Sequence, residues 1–358
     1  MSAVGRIPWW TWAWPALALA IMLGTTLVGA TGVLAAVAAA VLILAVFAAV
    51  YHAEMIAHRI GEPFGTLVLA VAVTVIEVGL IVSIMLGFAA EKPGLARDTV
   101  FAVVMIVCNG IVGLCLLLGA CATTSKVSTS REQAPPWRCL PPSPFSRLFC
   151  HVTSTTPGPV FSRSQLVFAA VISLVLYGSF VFVKTVRHRD YFLPLQAGDE
   201  AHASPPSTST ALVSLGLLVV ALLAIVGLGK ALTPAVEDVV AWLGAPKAVV
   251  GIAIAMLVLL PEGLAALRAA RANRLQTSLN QALGSALASI GLTVPAVAVV
   301  SIALGQRLEL GLDTKDTVLL VLTRFVGVIT LGTGRKTVLQ GIVHLVIFAT
   351  FLFLAVVP

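Results

Sequence analysis

Two carboxylates sit where water should be absent. Glu77 is at the centre of Val71-Ala-Val-Thr-Val-Ile-Glu77-Val-Gly-Leu-Ile81, and Glu262 stands in Leu257-Val-Leu-Leu-Pro-Glu262-Gly263. From Phe64 to Phe88 every residue except Glu77 is apolar, Gly, Ser or Thr. About 17–25 such residues cross a bilayer as a helix. A carboxylate at that depth costs about 2.5–3.5 kcal/mol, so it faces a partner or an aqueous cavity. Either residue alone has a plain reading, a hydrogen-bonded group in a helix core. The pair has a chemical one, because a hard divalent cation such as Ca2+ takes about six to eight oxygen ligands and two carboxylates supply up to about four.

The remaining oxygens have candidates in Thr74, Asn109, Ser285, main-chain carbonyls and water. Pro261 offers one: it has no N–H to donate and crowds the carbonyl of Leu257, which frees a main-chain oxygen one turn from Glu262. Pro295 does the same for Gly291. Helices broken in this way recur beside transporter ion sites. An unoccupied apolar cavity pushes a carboxylate toward its neutral form, and a bound cation favours the ionised form. Protons and cation therefore compete for Glu77 and Glu262. A bundle that changes sides only when loaded with one or the other performs exchange, with no cofactor and no covalent step.

The elements that position these groups are membrane helices. The 358 residues are 59% hydrophobic and 10% charged, with a mean hydropathy of +1.05. A soluble domain carries about 25% charged residues. The net charge of +7 sits in short loops between apolar runs, the pattern of topology signals and not of a nucleic-acid surface. Cys108, Cys115, Cys121, Cys139 and Cys150 form no C-x-x-C pair, and the first two read as buried thiols. Arg6, Trp9, Trp10 and Trp12 precede the first apolar run. They predict an uncleaved first helix with an interfacial aromatic belt.

Ten spans are expected: 12–30, 33–51, 64–88, 98–119, 165–186, 211–230, 248–267, 278–304, 317–333 and 339–357. Around them the chain divides into an N-terminal helix (1–30), a first repeat half (31–122), an atypical Pro-, Ser- and Arg-rich segment (123–163), a helix (164–186), a polar linker (187–210) and a second half (211–358). In the first half Ile60-Gly61-Glu62-Pro63 opens the Glu77 span, 14 residues before the glutamate. In the second, Leu243-Gly244-Ala245-Pro246 opens the Glu262 span, 16 residues before it. Repeats that each carry one ionisable residue suggest a transporter with its site near the midplane.

Inverted repeats require the two glutamate helices to enter from opposite sides, and ten spans make them parallel. Loop charge disagrees with ten spans as well. Arg268, Arg271, Arg274, Arg335 and Lys336 fall outside with ten crossings and inside with eleven, as the positive-inside tendency asks. The stretch 123–163 is the place for the extra crossing, yet it holds Arg131, Glu132, Arg138, Arg147 and four prolines between 135 and 142, which are costly in lipid. Two readings stay open. Either the stretch replaces an apolar span, through compensating frame shifts in the gene, or it is a long cytoplasmic loop between parallel repeats.

The stretches His58-Arg-Ile-Gly-Glu-Pro-Phe-Gly-Thr-Leu-Val-Leu69, Val75-Ile-Glu77-Val, Leu260-Pro-Glu-Gly-Leu264, Leu283-Gly-Ser285 and Leu292-Thr-Val-Pro295 resemble bacterial calcium/proton antiporters of the cation/Ca2+ exchanger superfamily. More narrowly, they resemble its enterobacterial sodium-potassium/proton and calcium/proton branch. The resemblance covers about residues 30–120 and 165–358. It implies an all-α polytopic fold of about ten transmembrane helices, where the family usually has eleven, built as two inverted repeats. It implies cation binding by Glu77 and Glu262. Relatives often place Asn three residues before each glutamate, where this chain has Thr74 and Leu259. They place Gly-Ser in the following helix, matched by Gly284-Ser285 and replaced by Cys108-Asn109. The expected activity is exchange of Ca2+, with Na+ or K+ as further substrates, for H+ across a bacterial inner membrane. The alternatives are a monovalent-cation/proton antiporter and a membrane protein inactive because of 123–163. An intramembrane protease lacks paired aspartates or a His-Glu-x-x-His motif. A channel or structural membrane protein is the third class. The oligomeric state is left open.

Overall fold

The structure is a computed structural model that describes residues 7–61, 64–87, 94–122, 161–183, 206–244, 246, 248–305, 309, 311–332 and 337–357. The expectations for Glu62, Pro63, Arg335, Lys336, the linker as far as 205 and positions 123–160 lie outside the described residues.

The helices are α1 (Trp9–Val28), α2 (Gly32–Ile60), α3 (Phe64–Gly87), α4 (Leu95–Met105), α5 (Val112–Ala122), α6 (Arg163–Phe182), α7 (Thr208–Trp242), α8 (Ala248–Arg271), α9 (Leu275–Leu304), α10 (Thr314–Gly332) and α11 (Val338–Val356). A π-helical segment, Ile106–Ile111, joins α4 to α5 into one span. Every expected span is therefore a helix. Among the described residues eight are long and apolar enough to cross a membrane.

Two helices run well past their expected ends. α2 continues from 51 to Ile60, where Gly61 at φ 79° closes it. α7 continues from 230 to Trp242 through Lys230, Pro234, Glu237 and Asp238. A proline usually ends a helix. Here the Thr233 hydroxyl donates to the Gly229 carbonyl at 2.9 Å, next to the break. Ser207 caps the start of α7, and Thr337 with Gln340 forms a capping box on α11.

The helices gather into two compact units that do not follow the order of the chain. The first holds residues 1–91, 178–189 and 193–245, and the second holds 92–177, 190–192 and 246–358. Each unit thus takes helices from both halves of the sequence.

In the first unit α1, α2, α3 and α7 pack together. Lipid tails are as apolar as leucine, so close approach of small residues replaces hydrophobic drive. Side-chain space at Gly79 is taken by Val226, at Gly229 by Leu80 and at Gly227 by Met22. The Arg59 guanidinium donates to Thr208 Oγ1 at 2.8 Å, so the end of α2 meets the start of α7 and the two run antiparallel.

In the second unit the α4–π–α5 span lies between α8 and α11. Gly251 meets Thr99, and Gly263 meets Ile111. Both numbers rise together, so α8 runs parallel to this span. α9 returns antiparallel to α8, with its Leu275 against Gly119 of α5. On the far side the α5–α11 crossing is very close: a Cβ on Gly341 would stand 2.9 Å from the Leu117 amide nitrogen, and one on Gly113 3.1 Å from the Gly341 carbonyl oxygen.

These directions bear on the inversion. α2 and α7 precede the two glutamate helices in their halves, and they run antiparallel within the first unit. The α4–π–α5 span and α9 follow the glutamate helices, and they run antiparallel within the second. Simple alternation through α3, α4–π–α5 and α6 would make α7 parallel to α2. The observed direction is the one inverted repeats require.

Candidate functional site

Glu262 is 9% exposed inside α8. Glycine at 263 lets the π segment approach, with Ile111 Cδ1 3.2 Å from where a Cβ would stand. From α9 the Ser285 hydroxyl donates to Glu262 Oε2. One turn further along α8, Ser278 Oγ donates to the Ala266 carbonyl at 2.7 Å and pins α9 in register. Pro261 is buried within the helix, so the Leu257 carbonyl has no N–H to receive from that position. On α9 Pro295 leaves the Gly291 carbonyl in the same condition, and Gly291 itself lies tight against Tyr177 of α6. Neither proline breaks its helix, since α8 and α9 run through Pro261 and Pro295; the second unit brings together a carboxylate, a hydroxyl and a main-chain carbonyl relieved of its helical donor, all oxygen chemistry suited to a hard cation.

Asn109 belongs to the same unit but spends its side chain elsewhere. It is fully buried in the π segment. Its Nδ2 donates to Thr323 Oγ1 at 2.9 Å, and its Oδ1 lies 3.1 Å from His344 Nδ1. His344 Nε2 lies 3.1 Å from Thr330 Oγ1. π segments inside α-helices are frequent at functional sites.

Glu77 lies in the first unit, fully buried on the face of α3 that also carries Val73, Ile76, Leu80 and Ile81. Thr74, three residues earlier, is buried too. Val71 and Val75 point outward, so the helix presents its carboxylate inward and aliphatic groups outward, as the sequence predicts. Among the described residues no three His, Cys, Asp or Glu side chains gather as a metal-ligating group.

Reading the sequence leaves two features unassigned and misplaces one residue. His344 is a buried histidine held by Asn109 and Thr330; the link is not visible in the sequence, because Thr323, Thr330 and His344 look like isolated polar residues in apolar runs. A second feature closes the start of α4. Arg97 Nε pairs with Asp98 Oδ1 at 2.8 Å, and its Nη1 donates to the Gly311 carbonyl at 3.0 Å and lies 3.8 Å from Glu309 Oε2. Beside it, burial and the neighbouring Asp313 push the Asp316 carboxyl up to about 7. His52, just past the expected end of the second span at 51, is instead fully buried. α2 extends past 51 and carries it inward, where Nε2 donates to the Thr11 carbonyl at 3.0 Å.

Comparison with known proteins agrees with this chemistry. The family described as sodium/calcium exchanger protein matches residues 30–186 and 213–357. The ionic transporter y4hA of Sinorhizobium fredii is 46% identical across 99% of this chain and 97% of its own. The sodium-potassium/proton antiporter ChaA of Escherichia coli is 34% identical across 86% and 84%. The y4hA match runs through 123–163, where the resemblance read from motifs had stopped. In fold, native YfkE, a Ca2+/H+ antiporter, superimposes with a TM-score of 0.69 at 16% identity over 97% of this chain and all of its own. The H+/Ca2+ exchanger CAX does so with 0.61 at 14% identity, over 96% and 87%. The chain belongs to the sodium/calcium exchanger protein family: it is a multi-pass antiporter of the bacterial inner membrane that exchanges cations, and not an enzyme.

Proposed function

We propose that the chain exchanges Ca2+ for protons, with Na+ and K+ as competing cations, and that Glu77 and Glu262 are the groups that bind them. The observation that carries this reading is the pair itself: one buried carboxylate at the matching place of each sequence half, the second in contact with Ser285. A divalent cation asks for two negative charges and several neutral oxygens. Glu262, Ser285 and the Leu257 carbonyl supply part of such a set, and Glu77 with Thr74 supplies the like in its own half. Asn109, with its amide committed to His344 and Thr323, serves by holding the π segment and not as a ligand in this conformation.

ChaA, named for Na+ and K+, favours the monovalent reading; the fold shared with YfkE does not decide between them, because fold does not fix substrate. Everted vesicles with an imposed pH gradient separate the cations. Ca2+ uptake is expected to exceed Na+ and K+ uptake, and Glu77→Gln and Glu262→Gln are each expected to bring it to background. Full exchange by both variants would refute the site, and uptake of monovalent cations alone would replace Ca2+ as the substrate.

A further inference from the structure

The π segment is held from two sides. On one, Ile111 packs into the gap left by Gly263, next to Glu262. On the other, Gly110 lies against the Phe348 ring of α11, 3.3 Å from where its Cβ would be. Between them Asn109 projects into a buried polar cluster built by α10 and α11.

The proton arrangement of the cluster follows from the orientation of the Asn109 carboxamide. Asn109 Nδ2 donates to Thr323, so its Oδ1 faces His344 and can only accept. The proton of the neutral ring is therefore on Nδ1. Nε2 is left as an acceptor, and the Thr330 hydroxyl donates to it. Asn109 Oδ1 selects the tautomer of His344, Thr330 satisfies the remaining ring nitrogen, and His344 in turn holds the carboxamide of Asn109 and through it the π segment. Glycines at 113 and 341 allow α11 to come close enough for this chain of contacts.

We propose that His344 is a positioning residue for the Glu262 cation site, clamping the π segment through Asn109 so that its opposite side stays seated on α8 at Gly263. The role rests on the reading of Glu262 as a cation ligand and extends it. His344 touches no transported ion. Its loss would leave Asn109 Oδ1 buried without its donor, and the π segment could then rotate or narrow to an ordinary α turn. Either change moves Ile111 against Gly263 and disturbs the Glu262–Ser285 geometry.

The test uses the purified full-length chain in detergent, titrated with Ca2+, Na+ and K+ while thermal unfolding is followed, together with vesicle flux. His344→Phe keeps the aromatic volume and removes the donor. It is expected to raise the half-saturating cation concentration and the transport KM about tenfold, as outer partners of metal ligands commonly do, with maximal flux per folded molecule little changed. His344→Gln restores an N–H for Asn109 and is expected to recover most of the loss. Thr330→Val, which leaves His344 Nε2 without its hydroxyl partner and loosens the ring, should shift KM in the same direction by less, and it decides the matter if His344→Phe fails to fold. A purely structural histidine would instead lower the amount of folded protein and leave KM unchanged. The inference is overturned if His344→Phe, or Thr330→Val in its place, binds and transports like wild type, or if His344→Gln is as impaired as His344→Phe. A wild-type chain that responds to none of the three cations overturns the antiporter reading, and this inference with it.

Discussion

At the scale of single residues, the contact that matters most to the candidate site is the hydroxyl of Ser285 on Glu262. A serine oxygen keeps two lone pairs while its proton points at a carboxylate, so Ser285 can orient Glu262 and ligate a cation together. Ser285→Ala is expected to raise the cation KM about tenfold, and Ser285→Thr to recover much of it. Vesicle flux against cation concentration measures both; an alanine variant with unchanged KM would leave Ser285 as packing only. The sequence marks Glu77 and Glu262 as candidates, because an ionisable group in an apolar run is conspicuous, and marks Ser285 through the Gly284-Ser285 match of the family resemblance. Asn109 was legible as a polar group and not in its use. Its partners Thr323 and His344 lie more than 200 residues away, and pairing at that separation follows from packing and not from local pattern.

At the scale of elements, the spans were legible by hydropathy and their ends less so. Lys230 and Pro234 look like a stop, yet α7 runs on to Trp242. A helix terminus is decided by what satisfies its last carbonyls, which no window of sequence reports. The π segment was illegible for a related reason, since one extra residue in a turn leaves an apolar run looking apolar. The α5–α11 crossing carries its own prediction. Gly341 admits nothing larger, because its missing Cβ would meet backbone atoms of Leu117 and not a flexible side chain tip. Gly341→Leu is expected to separate α5 from α11. Folded protein recovered from the membrane and its unfolding temperature should both fall, while Gly24→Leu, where nothing lies within 4 Å, should behave as wild type. Equal recovery of the two variants would mean the close crossing contributes nothing to folding.

At the scale of the whole molecule, the sequence leaves inverted and parallel repeats both open, with loop charge favouring the inverted ones. The directions of α2 against α7 and of α4–π–α5 against α9 agree with inversion. The partition into units was not foreseen, because sequence halves and packed units need not coincide. That partition has a consequence for how the protein is made. The ribosome delivers α1, α2 and α3 first, yet their partner α7 begins only at Thr208. At about 5–20 residues per second, three newborn helices wait on the order of ten seconds in the bilayer with their small-residue faces uncovered. The second unit likewise starts at residue 92 and closes only with the last helix. A nascent chain released after residue 206 is expected to stay protease-sensitive throughout, and one released after residue 245 to protect α1–α3. Equal protection of both products would show that α7 is not what completes the first unit. Until α7 arrives, the buried face of α3 that carries Leu80 and Glu77 lacks the wall that Gly229 supplies, so the enclosure of that carboxylate is the work of a helix made more than a hundred residues later.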